Sequence, residues 1–299
     1  MDNFEFKFNL IMEQIDEELR LKDTQIFARP ISAMCEFSSR LKIKFPMFPQ
    51  PLGAVPELYN ELTFSSHIEE WYKSRYGNRL KVHLGPGNVA LLIRGDPWLM
   101  ILPRIYGAMK VACDSDMKKY INLPPVSSRN DPPICNALNN IKDFPNGLAS
   151  VLTIEERKRI LLFFMHCLDV LGQLEKALEK PFVKEAKADL DSSVSLIFAN
   201  PPQYGLSKWA SLQFIEKLIK SFLALKKLTI PRHHNLVQLV QKADDAGLGS
   251  LDSSLIETVQ CTASVRYGET VVGLKESIAA HHAALDLTMK LTQEIRKLR

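Results

Sequence analysis

Apolar positions near the amino terminus follow two different periods. Phe4, Phe6, Phe8 and Leu10 alternate with polar residues, which predicts a short strand, whereas Ile11, Ile15 and Leu19 recur at helical spacing and predict a helix over 11–21. Pro46, Pro49 and Pro51 make 40–53 extended or irregular, and 69–76 is again helical. From 79 to 113 the period shortens. Leu80, Val82 and Leu84 alternate, Gly85-Pro86-Gly87-Asn88 marks a turn, 89–93 is a short apolar run, and Gly95-Asp96-Pro97 marks a second turn. Stretches 98–101 and 105–112 add further strands. The expected product is an antiparallel meander of three or four strands, with the helices at 11–21 and 69–76 available to cover one face.

Residues 122–150 are rich in Pro and Asn, with Pro124, Pro125, Pro132, Pro133 and Pro145, and read as a connector between an α+β domain over 1–121 and a second domain over 151–299. That second domain is helical almost without pause. Thr153 with Glu156 forms a capping box that opens a helix running to about 179, which Pro181 ends. Helices follow over 185–200, 206–227, 235–246, 251–261 and 272–298. The one at 206–227 carries an apolar stripe wide enough for a bundle centre, with Trp209 among its core residues. The fold class is therefore α+β: a small antiparallel sheet domain with helices, then an all-α antiparallel bundle of about four to six helices.

Composition narrows the function. The chain has 299 residues, 46% apolar and 24% charged, an ordinary balance for a protein that buries a core. A net charge of +4 falls far short of the strong basic excess expected of a dedicated duplex-DNA binder, and charge alone names no partner. The start lacks a basic stretch followed by an apolar one, and the longest nearly apolar run, 160–171, is interrupted by His166 and Asp169. A soluble, cytoplasmic chain without membrane contact is expected. Cys35, Cys113, Cys135, Cys167 and Cys261 are odd in number, scattered and without C-x-x-C spacing, so reduced thiols are expected rather than disulfides or a metal site.

The phosphate-loop, dinucleotide-fold, zinc-protease and hydrolase-elbow motifs are all absent, and nothing implies a cofactor. Gly85-Pro86-Gly87 lacks one amide donor at the proline and reads as a hairpin turn, as does Arg94-Gly95-Asp96. The informative stretches lie in the bundle. They are Tyr204 to Gln213 leading into Glu216-Lys217, Pro231-Arg232-His233-His234-Asn235-Leu236, Val265-Arg266-Tyr267-Gly268-Glu269, and His281-His282 in the last helix. Together these resemble the HEPN family, named for higher eukaryotes and prokaryotes nucleotide-binding, over about 184–299.

The resemblance implies a bundle that often dimerises and handles nucleotides or RNA, in settings such as stress response or defence, and in some members cuts RNA without metal. Those nucleases carry Arg, then four to six residues, then His. Here Arg232 is followed at once by His233 and His234, and Arg266 lies well before His281; only Arg159 and His166, upstream of the resemblance, have the spacing. Metal-free cleavage needs a base near neutrality and a fixed cation, roles suited to His and Arg. His233, His234 and Arg266 are the catalytic candidates. Lys208, Lys217, Arg232, His234, Arg266 and Tyr267 are the ligand-binding ones, with Lys220, Lys226 and Lys227 extending a basic edge. The structural alternative has His234 capping or packing its helix, Arg266 paired with Glu216, and His281 as a hydrogen-bonded core residue. Three functions follow: a nucleotide- or RNA-binding protein, a metal-independent endoribonuclease, and a non-enzymatic homodimer whose sheet domain recognises a protein.

Overall fold

The computed structural model describes residues 2–47, 59–80, 85–105, 107–116 and 132–298. They form two compact units, Met1–His83 and Leu84–Arg299.

In the first unit the described elements are helices: α1 (Asp2–Leu21), α2 (Arg29–Leu41) and α3 (Phe64–Tyr76). The strand expected at Phe4 to Leu10 is part of α1. Helical spacing decides which apolar residues are covered: Phe8, Met12, Ile15 and Leu19 are buried, while Phe6 and Leu10 are 63% and 44% exposed. The core is aromatic, with the Phe37 ring 5.5 Å from Phe8 and 5.1 Å from Phe64. One ion pair is buried beneath it. The Arg29 guanidinium reaches Asp16 at 3.4 Å and the Tyr76 hydroxyl at 3.2 Å, and Tyr76 in turn donates to Asp16.

The second unit opens with β1 (Gly87–Ile93) and β2 (Asp96–Leu102), an antiparallel hairpin in register Ile93 to Asp96. Arg94 and Gly95, both at positive φ (55° and 95°), make the two-residue turn that suits strand twist. Asp96 and Pro97, expected in the turn, are already in β2. The expected meander is this one hairpin plus a short parallel pair, β3 (Lys110–Ala112) with β4 (Ile134–Asn136). Leu80 lies in a single 3-10 turn, and Val82 and Leu84 fall outside the described residues.

Helices follow: α4 (Asn146–Ser150), α5 (Ile154–Glu175), α6 (Val183–Ile197), α7 (Tyr204–Leu225), α8 (Leu236–Asp245), α9 (Ser253–Val259) and α10 (Leu274–Lys297). Thr153 and Glu156 form the expected capping box on α5. Helix α7 is the bundle centre, with Leu212, Phe214, Ile215, Leu218 and Ile219 all fully buried. Strand residues Val89, Leu91, Met100 and Leu102 share one apolar core with Phe164, Leu171, Leu212 and Phe222 of the helices. The division consequently falls at His83–Leu84, whereas the proline content placed it in 122–150. Of that stretch, 122–131 lie outside the described residues, and Cys135, Leu138, Ile141 and Ala149 are buried in the same core. A two-stranded hairpin is marginal alone, so its apolar face must be covered by helices.

Candidate functional site

The loop between α7 and α8 is pinned at the C-terminal end of its basic run. Asn235 caps α8, its side chain accepting from the Gln238 N–H at 3.1 Å. Just before it, His234 lies against α7, with Nδ1 2.8 Å from Glu216 Oε2 and its ring edge-on to Trp209 at 5.4 Å. The Glu216 side chain is 4% exposed and also accepts from Lys220 Nζ at 2.7 Å and from the Gln213 amide at 3.1 Å. An unprotonated Nδ1 would aim its lone pair at a buried carboxylate, so Nδ1 carries the proton and donates to Glu216. Nε2 is left over on a side chain that is 53% exposed. Trp209, expected in the core, is half-buried and forms the wall beside His234.

A second loop converges on the first. Gln260, directly after α9, accepts the Leu236 N–H at 2.8 Å through Oε1 and donates to its neighbour's carbonyl, Cys261 O, at 2.9 Å. Five residues on, Val265 packs on the start of α7 at Gly205, where a Cβ would lie 2.7 Å from the Val265 carbonyl oxygen. These two contacts tie the segment just before Arg266 and Tyr267 to the start of α8 and to the start of α7. Arg232, His233, Arg266 and Tyr267 are all exposed, Tyr267 at 70%. The Arg266 guanidinium sits 5.8 Å from the Tyr267 ring centre, and His233 Nδ1 accepts from the Asn235 N–H at 3.3 Å. Among the described residues neither Arg232 nor Arg266 has an ion-pair partner. The pairing of Arg266 with Glu216 does not form, because His234 and Lys220 occupy that carboxylate.

The lysines behave differently from a basic edge. Lys208 is buried and bonds Glu276 at 2.7 Å, Lys217 bonds Asp189 at 2.5 Å, and Lys220 bonds Glu216. Burial pushes the Asp189 carboxyl above its usual range while Lys217 pulls it down. Lys226 and Lys227 remain exposed. Gln260, which carries no charge and belongs to no motif, is the site-building residue that sequence reading passed over, and Gln213 closes the Tyr204 to Gln213 stretch without a role read for it.

His281 and His282 serve the fold. The His281 Nε2 accepts the Ala90 N–H at 3.3 Å, and its Nδ1 faces the Ser193 hydroxyl at 3.2 Å. Ser193 already donates to Leu190 O at 2.8 Å, so Nδ1 must be the donor and the ring is neutral. Burial pushes its pKa down to about 3, with His282 adding to the effect. His282 donates from Nε2 to Ala90 O at 2.8 Å. The two imidazoles thus satisfy both backbone groups of one strand residue. Of the pair with nuclease-like spacing, His166 bonds Asp286 at 2.8 Å, which raises its pKa, and Arg159 is exposed. No group of His, Cys, Asp and Glu suited to a metal occurs among the described residues, and no helix among them is long and apolar enough to cross a membrane.

The second unit is a mainly helical α+β fold with Arg232, Arg266 and Tyr267 exposed on the loops before α8 and after α9. Residues 180–295, the carboxyl-terminal part of the chain, match the family model of the HEPN domain. No curated protein and no solved structure matches the chain.

Proposed function

We propose that the protein binds single-stranded RNA on the surface formed by residues 232–234 and 266–267. The observation that carries this reading is the hydrogen bond from the Leu236 N–H to Gln260 Oε1, which ties the start of α8 to the end of α9, between the segments that carry the exposed Arg232, Arg266 and Tyr267. Arginine forks suit phosphate oxygens, and a tyrosine ring accepts any base by stacking. Fluorescence anisotropy with a labelled oligoribonucleotide over a salt series tests it. Affinity must fall as salt rises, Arg266→Ala must lower the log–log slope by about 1, and Tyr267→Ala must weaken binding by roughly 1–3 kcal/mol. Salt-insensitive binding overturns the reading. Stress response or defence belongs to the same proposal and rests on the domain match alone. Assembly as a homodimer is a further part of it; a monomer by light scattering at high concentration removes that part.

One observation favours a second reading, RNA cleavage. Glu216 orients His234 so that the free Nε2 can take the 2′-hydroxyl proton, with Arg232 or Arg266 stabilising the charge on the phosphorane. The 2′-oxygen then attacks phosphorus, the bond to the 5′-oxygen breaks, and that oxygen takes a proton from water while His234 returns its own to solvent, giving a 2′,3′-cyclic phosphate and a 5′-hydroxyl. Incubation of labelled RNA in EDTA decides it: cleavage no faster than that of His234→Ala removes the reading.

A further inference from the structure

A cleft of about 680 Å³ opens beside the hairpin, lined by residues of β1 and its turn, α5 and the first half of α10. Its volume lies within the range of small-molecule sites. The floor and walls are apolar: Ile160 and Ile278 are buried, Leu92 and Phe163 partly so, and the Phe163 ring packs against His282 at 4.6 Å. Gly95, with no side chain, leaves the turn side open.

The rim decides what fits. Four charged residues line the cleft, namely Arg94, Glu156, Arg159 and Lys275. Arg94 is fully committed, holding Glu156 through two bonds of 2.8 and 3.0 Å and the Val151 carbonyl at 2.7 Å. Arg159 and Lys275 are exposed and have no ion-pair partner among the described residues. The net field over the opening is therefore that of two unspent cations. Within the wall, the His282 Nε2–H is used on Ala90 O, which leaves Nδ1 of the neutral ring as an acceptor. The cleft thus combines an aromatic and aliphatic bed, one hydrogen-bond acceptor and a cationic mouth.

We propose that this cleft binds a small amphipathic anion, its flat aromatic body between Phe163, Ile160 and Ile278 and its phosphate group held by Arg159 and Lys275. The site draws on residues 91–160 as well as on the matched HEPN region, and it does not depend on the RNA surface formed by 232–234 and 266–267. A nucleoside monophosphate and another aromatic phosphate share the required chemistry. Arg159 here has a use unrelated to its spacing from His166.

Calorimetric titration of the full chain tests the proposal with adenosine monophosphate, 1-naphthyl phosphate, their dephosphorylated forms, inorganic phosphate and decanoate. At least one aromatic phosphate is expected to bind one to one. A combined Arg159→Gln, Lys275→Gln variant should bind it about ten-fold or more weakly, equivalent to about 1.4 kcal/mol. Ala279→Trp, which fills the cleft from an exposed position, should abolish binding while leaving the circular dichroism melt in place. Arg266→Ala should leave it unchanged, which separates this site from the RNA surface. A preference for adenosine monophosphate assigns a nucleobase, and a preference for 1-naphthyl phosphate assigns another arene. The proposal is overturned by the absence of saturable binding, by a double variant that binds as wild type, by a neutral body or inorganic phosphate binding as tightly, or by decanoate outcompeting both arenes.

Discussion

Lowering the pH from 7 to 5 should loosen the second unit through the imidazoles that hold Ala90. The His281 pKa is depressed from an ordinary 6.5 to about 3 in the folded state, because burial excludes water and Nε2 is already used as an acceptor. A depressed histidine contributes stability that is fully present above the unfolded pKa and is lost as pH falls below it, since the unfolded chain then binds the proton and the folded one does not. At pH 5, about 1.5 units below the unfolded value, His281 alone costs about 2 kcal/mol. His282, also depressed by burial, acts in the same direction. His166 opposes them: its pKa is raised by Asp286, so its contribution is present at pH 5 and lost as pH rises. With side chains 36% and 48% exposed, that pair is worth under about 1 kcal/mol. Glu156 and Asp252 sit below their usual carboxylate ranges and begin to lose stability only beneath this window.

The assay is amide hydrogen exchange read by mass spectrometry in peptides of α7 and α10, corrected for the intrinsic effect of pH. A cost of about 2 kcal/mol corresponds to a roughly 30-fold faster opening. His281→Gln keeps an acceptor near Ala90 but does not titrate, so its pH response should be smaller by that factor. Equal acceleration in both proteins, or slower exchange at pH 5 in the wild type, would refute the reasoning.

Other consequences are smaller in scope. Gly205→Ala should force the Val265 carbonyl away, lowering stability by roughly 1–3 kcal/mol and weakening RNA affinity in the anisotropy assay, because the loop carrying Arg266 must shift. Gln260→Ala should orphan the Leu236 N–H at a cost of about 1–3 kcal/mol, and a salt slope that stays at the wild-type value would show that the two loops need no tie. Phe214→Ala, at the fully buried centre of α7, should cost roughly 3–5 kcal/mol in urea unfolding. Asp16→Ala should leave Arg29 buried without its counter-charge, and exchange in α1 and α2 peptides should quicken by an amount equivalent to about 3–5 kcal/mol.

Features set by neighbours along the chain were legible from sequence: the Thr153 capping box, the apolar stripe of α7, and the run of bundle helices with their Pro and Gly stops. These depend on rotamers, periodicity and backbone limits within about one or two helical turns, which local sequence expresses directly. At Phe4 to Leu10 the local signal was degenerate, since four apolar residues fit a period of two as well as they mark a helix. Only packing of Phe8, Met12 and Ile15 against α2 and α3 chose the helix.

Everything that required choosing a partner was decided in three dimensions. Glu216 could pair with several cations by charge alone, and the fold gave it His234 and Lys220 while leaving Arg266 exposed. His281 reached a strand residue 191 positions away, and the hairpin joined the bundle although composition suggested a boundary between them. The cleft is the extreme case, for its lining comes from three separated elements. Charge and hydropathy say what a side chain can do, but which groups share a low-dielectric space, and which are left without a partner, is a property of distance and burial that no single stretch of chain contains.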